Sequence, residues 1–162
     1  MSVQQAMESQ GDRESGRVLW DETEGVIGAL IEVHRALGPG LLESVYEACL
    51  CEELTNRGVS FDRQRPVGVR YKSVSIDCGF RLDVVVESRI VVEIKSVEQL
   101  LPIHQAQALT YLKLTGIPVA LLVNFNVAVL RNGLRRLRLE SSDPSPTPDL
   151  PVPSLPMRHR GR

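Results

Sequence analysis

Two short apolar stretches of the chain carry charges where charges are expensive. Asp83 sits in Arg81-Leu82-Asp83-Val84-Val85-Val86, and Glu93 and Lys95 sit in Val91-Val92-Glu93-Ile94-Lys95. Both stretches are β-branched and read as strands. Side chains alternate along a strand, so Glu93 and Lys95 point to one face. An ionised group in such a strand must be paired or must bind a metal. Two readings stand side by side. One is a structural ion pair between Lys95 and Asp83 or Glu93. The other is a pair of carboxylates and an ammonium assembled for chemistry.

Other residues join them. Gln107 and Tyr111 are four apart on the helix that follows the Glu-x-Lys strand, so they share a face. His104 lies one turn earlier on that side. Glu43 borders the apolar stripe of an earlier helix, and Glu47 follows one turn later. Taken alone, Glu43 and Glu47 read as a solvated helix edge.

The elements that must position these groups follow from periodicity. Thr23 to Leu37 carries Val26, Ile27, Leu30, Ile31, Val33 and Leu37 at helical spacing, with Thr23 as cap. Gly38-Pro39-Gly40 ends that helix, and Leu41 to Arg57 resumes the period, with Asn56 and Gly58 as its stop. Strands are expected at Pro66 to Tyr71, Phe80 to Val86 and Ile90 to Ile94. Pro102 opens a helix reaching about Leu114. Val119 to Phe125 reads as a buried strand, and Asn132-Gly133 as a tight hairpin. The expected class is α/β, a mixed β-sheet flanked by helices in the order α-α-β-β-β-α-β-β.

An acid on a helix, Asp on one strand, Glu-x-Lys on the next and Gln-x-x-x-Tyr on the following helix together resemble the PD-(D/E)XK nuclease superfamily. The resemblance is closer still to its GxxExxY group. The naming motif reads Gly40-Leu41-Leu42-Glu43-Ser44-Val45-Tyr46, and further similar segments are Ile31 to Gly40, Phe80 to Asp83, Gln107 to Leu112 and Leu121 to Phe125. The likeness spans about Val26 to Leu137. One departure is Leu82, where the superfamily's name places proline.

The resemblance implies a restriction-endonuclease-like core and metal-dependent hydrolysis of phosphodiester bonds in DNA or RNA. The implied ion is Mg2+, with Mn2+ as a substitute. Its ligands would be Asp83, Glu93 and the carbonyl of Ile94, with Glu43 directly or through water. Lys95 would orient or help deprotonate the attacking water, Gln107 would position Lys95, water or the backbone of the substrate, and Tyr111 would support Gln107 or contact a phosphate. The alternative is a catalytically inactive module of the same fold that acts by binding protein or nucleic acid. The shared-metal scheme needs Asp83 and Glu93 on one side of the sheet. With Asp83 opposite Glu93, Val86 pairs with Ile90 and Glu87-Ser88-Arg89 is a three-residue loop; a compensating bulge is the alternative.

Further residues have two readings each. Arg131, Arg135, Arg136 and Arg138 would hold a phosphate backbone or guard an edge strand. Arg81 would contact substrate or pair with an acid. His34 reads as a packed or capping histidine. Cys49 and Cys51, two apart on a helix, point in different directions and form no metal motif.

Composition sets the frame. The chain has 162 residues, 43% apolar and 24% charged, which suits one domain with a real core. Nineteen Lys and Arg against twenty Asp and Glu give a net charge of -1, which argues against a general basic coat. Aromatics are only 4%, too few for a single-strand binder built on stacked rings. Three cysteines form no disulfide scaffold, which points to a reducing, cytoplasmic setting. The first 16 residues are polar, without an apolar signal core, and no run is long enough to span a membrane. No phosphate-cradling Gly-rich loop with Lys is present. The expected organisation is a flexible tail over residues 1–16, the domain over 17–140 and a disordered tail over 141–162. Six of the ten prolines fall between Pro144 and Pro156. That tail would dock a protein partner or be a plain solvated end. A homodimer would help grip a duplex.

Overall fold

A computed structural model describes residues 23–139, so both expected tails lie outside the described residues. Helix α1 covers 23–37 and buries Val26, Ile27, Ala29, Leu30 and Val33. Thr23 is already helical and fully buried. Helix α2, Glu43–Asn56, buries Tyr46, Leu50 and Leu54, one every fourth residue. Gly38 and Gly40 both have positive φ, 67° and 97°, and turn the chain between the helices.

Strand β1 (Phe61–Tyr71) runs antiparallel to β2 (Val74–Val86), and β2 to β3 (Ile90–Lys95). Helix α3 (Pro102–Thr115) then crosses over so that β4 (Val119–Asn124) lies parallel to β3. A 3-10 turn, Leu130–Gly133, leads into β5 (Leu134–Arg138), antiparallel to β4. The five described strands form one mixed sheet in the order β1-β2-β3-β4-β5. The element order matches the sequence expectation.

The sheet is covered on both faces, as α/β architecture requires. Val84, Val86, Val92, Ile94, Leu121 and Val123 pack with α1 and α2. Val85, Val91 and Ala120 pack with Ala108, Tyr111 and Leu112 of α3. Successive valines therefore serve opposite layers, which explains the unbroken apolar runs.

Two local readings are corrected. Asn132-Gly133 does not make a two-residue hairpin. The chain needs a longer path from β4 to β5, and a Cβ at Gly133 would collide with the Asn124 carbonyl oxygen. Strands β1 and β2 are also longer than expected and meet at a two-residue turn, Lys72-Ser73, with φ of 52° at Lys72. Beyond a bulge between Val67 and Gly68 this hairpin continues as a ribbon, and among the described residues none of its outer part belongs to either core cluster.

Candidate active site

The alternation of β1 and β2 breaks at one matched point. Val84 packs toward α1 and α2, yet Leu82 belongs to the cluster under α3. In a regular strand, residues two apart share a face. On β1, the adjacent Arg63 and Gln64 both donate to Glu47 of α2, Gln64 to Oε2 at 2.7 Å. Gln64 has a φ of 52°, a left-handed conformation costly for a side chain with a Cβ. The pairing runs Arg63 with Val84, skips one position on each strand, and resumes with Arg65 and Leu82. The skipped residues are Gln64 and Asp83. Arg81 donates to the Gln64 carbonyl at 3.2 Å and braces the break.

The break opens a cleft of about 560 Å³ lined by Glu43, Glu47, Gln64, Asp83 and Ser96, with Leu41, Leu42 and Ser44 at its rim. Val86 pairs with Ile90, so Glu87-Ser88-Arg89 is a three-residue loop and the register carries Asp83 across from Glu93. Past Val84 the two strands are joined through their acids. Asp83 Oδ2 accepts the Ile94 N–H at 2.8 Å, and the Glu93 carboxylate accepts the Asp83 N–H. Glu93 lies beneath Asp83, only 5% exposed, and does not line the cleft.

Both acids are held with incomplete compensation. Burial and the Asp83 charge push the Glu93 carboxyl up to about 8, against the pull of Lys95. Burial also raises Asp83, opposed by the Ile94 N–H and Lys95. Glu93 Oε1 is buried without a hydrogen-bond partner. A buried, unpartnered oxygen next to a second carboxylate fits a hard divalent cation. Glu43 Oε1 accepts the Ser96 N–H at 3.2 Å at the cleft, and among the described residues no three acidic, His or Cys side chains converge to hold an ion.

Lys95 acts on both carboxylates through its charge, without a close ion pair among the described residues. The ion-pair reading of the strand charges is therefore not the one seen. On α3, Gln107 hydrogen-bonds the Tyr111 side chain, whose pKa is raised by burial and by Glu93. Tyr111 is buried, meets Phe80 edge-on and lies within the field of Glu93 and Asp83.

The remaining candidates fall elsewhere. His104 Nδ1 accepts the Leu101 N–H at 3.0 Å and caps α3. His34 Nε2 meets the Val127 carbonyl at 2.8 Å, a packed role. Arg135 and Arg136 lie on β5, with β3 and β4 between them and Asp83. Arg136 pairs with Glu24 at 3.0 Å, and Arg135 donates to the carbonyls of Asn132 and Leu134.

Three positioning groups were missed by sequence reasoning. Glu47 is buried at 6% and held by Arg63 and Gln64, so it is not a solvated edge. Asn124 is buried, its Oδ1 accepting the Val97 N–H and its Nδ2 donating to the Val97 carbonyl, which fixes the chain just after Lys95. Tyr46 donates to the Gly38 carbonyl at 2.6 Å, accepts the Leu41 N–H and stacks on Phe125. That holds the turn whose Leu41 carbonyl receives Ser96 Oγ. A polar residue closing an apolar run was the available signal for Asn124.

No curated protein and no solved structure gives a significant match. No described helix is long and apolar enough to cross a membrane. A family model of the PD-(D/E)XK nuclease superfamily matches residues 20–137, which include the strand break, both acids, Lys95 and the Gln107–Tyr111 helix. The chain belongs to the PD-(D/E)XK nuclease superfamily.

Proposed function

We propose that the protein is a divalent-metal-dependent nuclease that hydrolyses phosphodiester bonds of DNA or RNA, with Mg2+ as the ion and Mn2+ as a substitute. Within the superfamily we place it in the GxxExxY group, on Gly40, Glu43 and Tyr46. One observation carries the metal reading: the buried, unpartnered Glu93 Oε1 beside Asp83.

Asp83, Glu93 and the Ile94 carbonyl would hold the ion, and Glu43 would reach it through water. Bound there, the ion would neutralise phosphate charge and lower the pKa of water. Lys95 would orient the attacking water and offset the charge that develops on the phosphoryl oxygens. The Gln107–Tyr111 hydrogen bond would keep the floor of the site polar and fixed. Glu47, with Arg63 and Gln64, holds the break that turns Asp83 to the cleft.

The test is cleavage of DNA and RNA with Mg2+ or Mn2+ by wild type, Asp83→Ala and Lys95→Ala. The expected loss in each variant is at least ~100-fold, the scale of removing one such electrostatic group. Equal cleavage by all three proteins would assign the activity to a contaminant. No cleavage by wild type over both ions and both nucleic acids would leave the fold as a binding module.

A further inference from the structure

We propose that the β1–β2 ribbon beyond Gly68 is an arm that holds the phosphate backbone of the substrate away from the cleft. The inference rests on the nuclease reading for the identity of its ligand. The base of the hairpin is braced, since Val67 and Leu82 join the cluster under α3 and Phe80 meets Tyr111. Past the bulge, Val69 pairs with Ile76, Arg70 with Ser75 and Tyr71 with Val74. Among the described residues no third strand is paired there, and an isolated two-stranded ribbon is only marginally stable in water. Tyr71, Val74 and Ile76 remain 42%, 55% and 43% exposed.

Charge selects the partner. Past Gly68 the ribbon carries two cations, Arg70 and Lys72, against one anion, Asp77, in a chain whose net charge is -1, while Arg65 and Arg81 at its base are engaged with Asp62 and the Gln64 carbonyl. Among the described residues neither Arg70 nor Lys72 forms an ion pair, and Lys72 instead rests over the Tyr71 ring, 5.5 Å from its centroid. The seven steps from Gln64 to Tyr71 span about 23 Å at strand rise. A backbone leaving the cleft along the ribbon would reach the tip within about seven nucleotides at ~3.4 Å each. Two-stranded ribbons of this kind enter nucleic-acid grooves, with cations on phosphates and apolar side chains against the groove.

The test measures binding without cleavage. Fluorescence anisotropy of 24-base-pair DNA and RNA duplexes is followed against salt in EDTA, for wild type and Arg70→Ala/Lys72→Ala. Wild type is expected to bind at least one duplex. The variant is expected to melt like wild type while its slope of log K on log salt becomes shallower by about 2. An unchanged slope, or no binding by wild type, overturns the arm. So does a dimer in sedimentation that Val74→Ser/Ile76→Ser disperses while the slope stays put, which would give the ribbon to a second copy. The Mg2+ cleavage assay separates the two failures. Binding through the ribbon without cleavage defeats only the nuclease, and cleavage with ribbon-indifferent binding defeats only the arm.

Discussion

Asp83 Oδ2 accepts the backbone N–H of Ile94 at 2.8 Å, while the Asp83 N–H goes to the carboxylate of Glu93. A side chain on each strand thus takes the place of a ladder carbonyl of its own strand, accepting an N–H from the other. The strands stay joined where their regular pairing has ended, and the two acids are held within each other's field.

That proximity has a pH signature. The Glu93 pKa is about 8 in the fold, against about 4.3 in an unfolded chain. Between those values the folded protein binds the extra proton, so stability falls as pH rises through the window. Asp83, also raised, acts in the same direction. In EDTA, Tm should drop from pH 5 to 8, and Glu93→Gln should flatten the drop and gain ~4 °C or more at pH 8. Asp83→Asn should lower the Glu93 pKa in a carboxyl NMR titration. A flat wild-type profile would contradict the buried, undercompensated pair.

Asn124→Ala should be severe. It strips partners from the N–H groups of Val97 and Asn126 and leaves the Val97 carbonyl with only the Asn126 Nδ2 donor at 3.3 Å. Each group left unsatisfied in this half-buried turn costs up to ~1–3 kcal/mol. Calorimetry should show a loss of at least ~2 kcal/mol. Asn124→Asp keeps the acceptor but not the donor, and should fall between.

Tyr46→Phe keeps the stack on Phe125 and removes only the bridge between Gly38 and Leu41. The expected cost is ~1–2 kcal/mol by denaturant titration. Tyr46→Ala also empties a fully buried site and should cost ~3–5 kcal/mol.

Ser88 has φ of 55° in the loop that sets the register of the two acids. Ser88→Gly relieves that conformation and should stabilise by ~0.5 kcal/mol without changing the pairing. Deleting Ser88 shortens the loop to two residues and should move Glu93 out of line with Asp83. Metal-dependent cleavage should then vanish while the circular dichroism remains that of a mixed α/β fold.

What was legible in the sequence tracks what apolar periodicity encodes. The stripes of α1 and α2 and the valine runs of β2 and β3 were readable because each buried face repeats at a fixed spacing, and the loop at Glu87 to Arg89 followed from setting Asp83 opposite Glu93. So was the anomaly of acids inside those runs. Asp62-Arg63-Gln64-Arg65 hid the first half of β1, because a strand that breaks its alternation carries no alternating signal. Glu47 looked like surface because its partners, Arg63 and Gln64, are 16 and 17 residues away. His104 looked like chemistry because it shares a helix side with Gln107, yet its Nδ1 caps the start of its own helix. The arginines near Asn132-Gly133 are close in sequence to one another but stand on the far edge of the sheet from Asp83.

The skipped pair at Gln64 and Asp83 is symmetrical, one residue on each strand. Removing either alone would throw the rest of the hairpin out of step. Excising both together would leave a continuous ladder, with every valine still facing its own layer. Such a chain would be the more regular protein, and it would have no hollow in which an acid could meet a substrate.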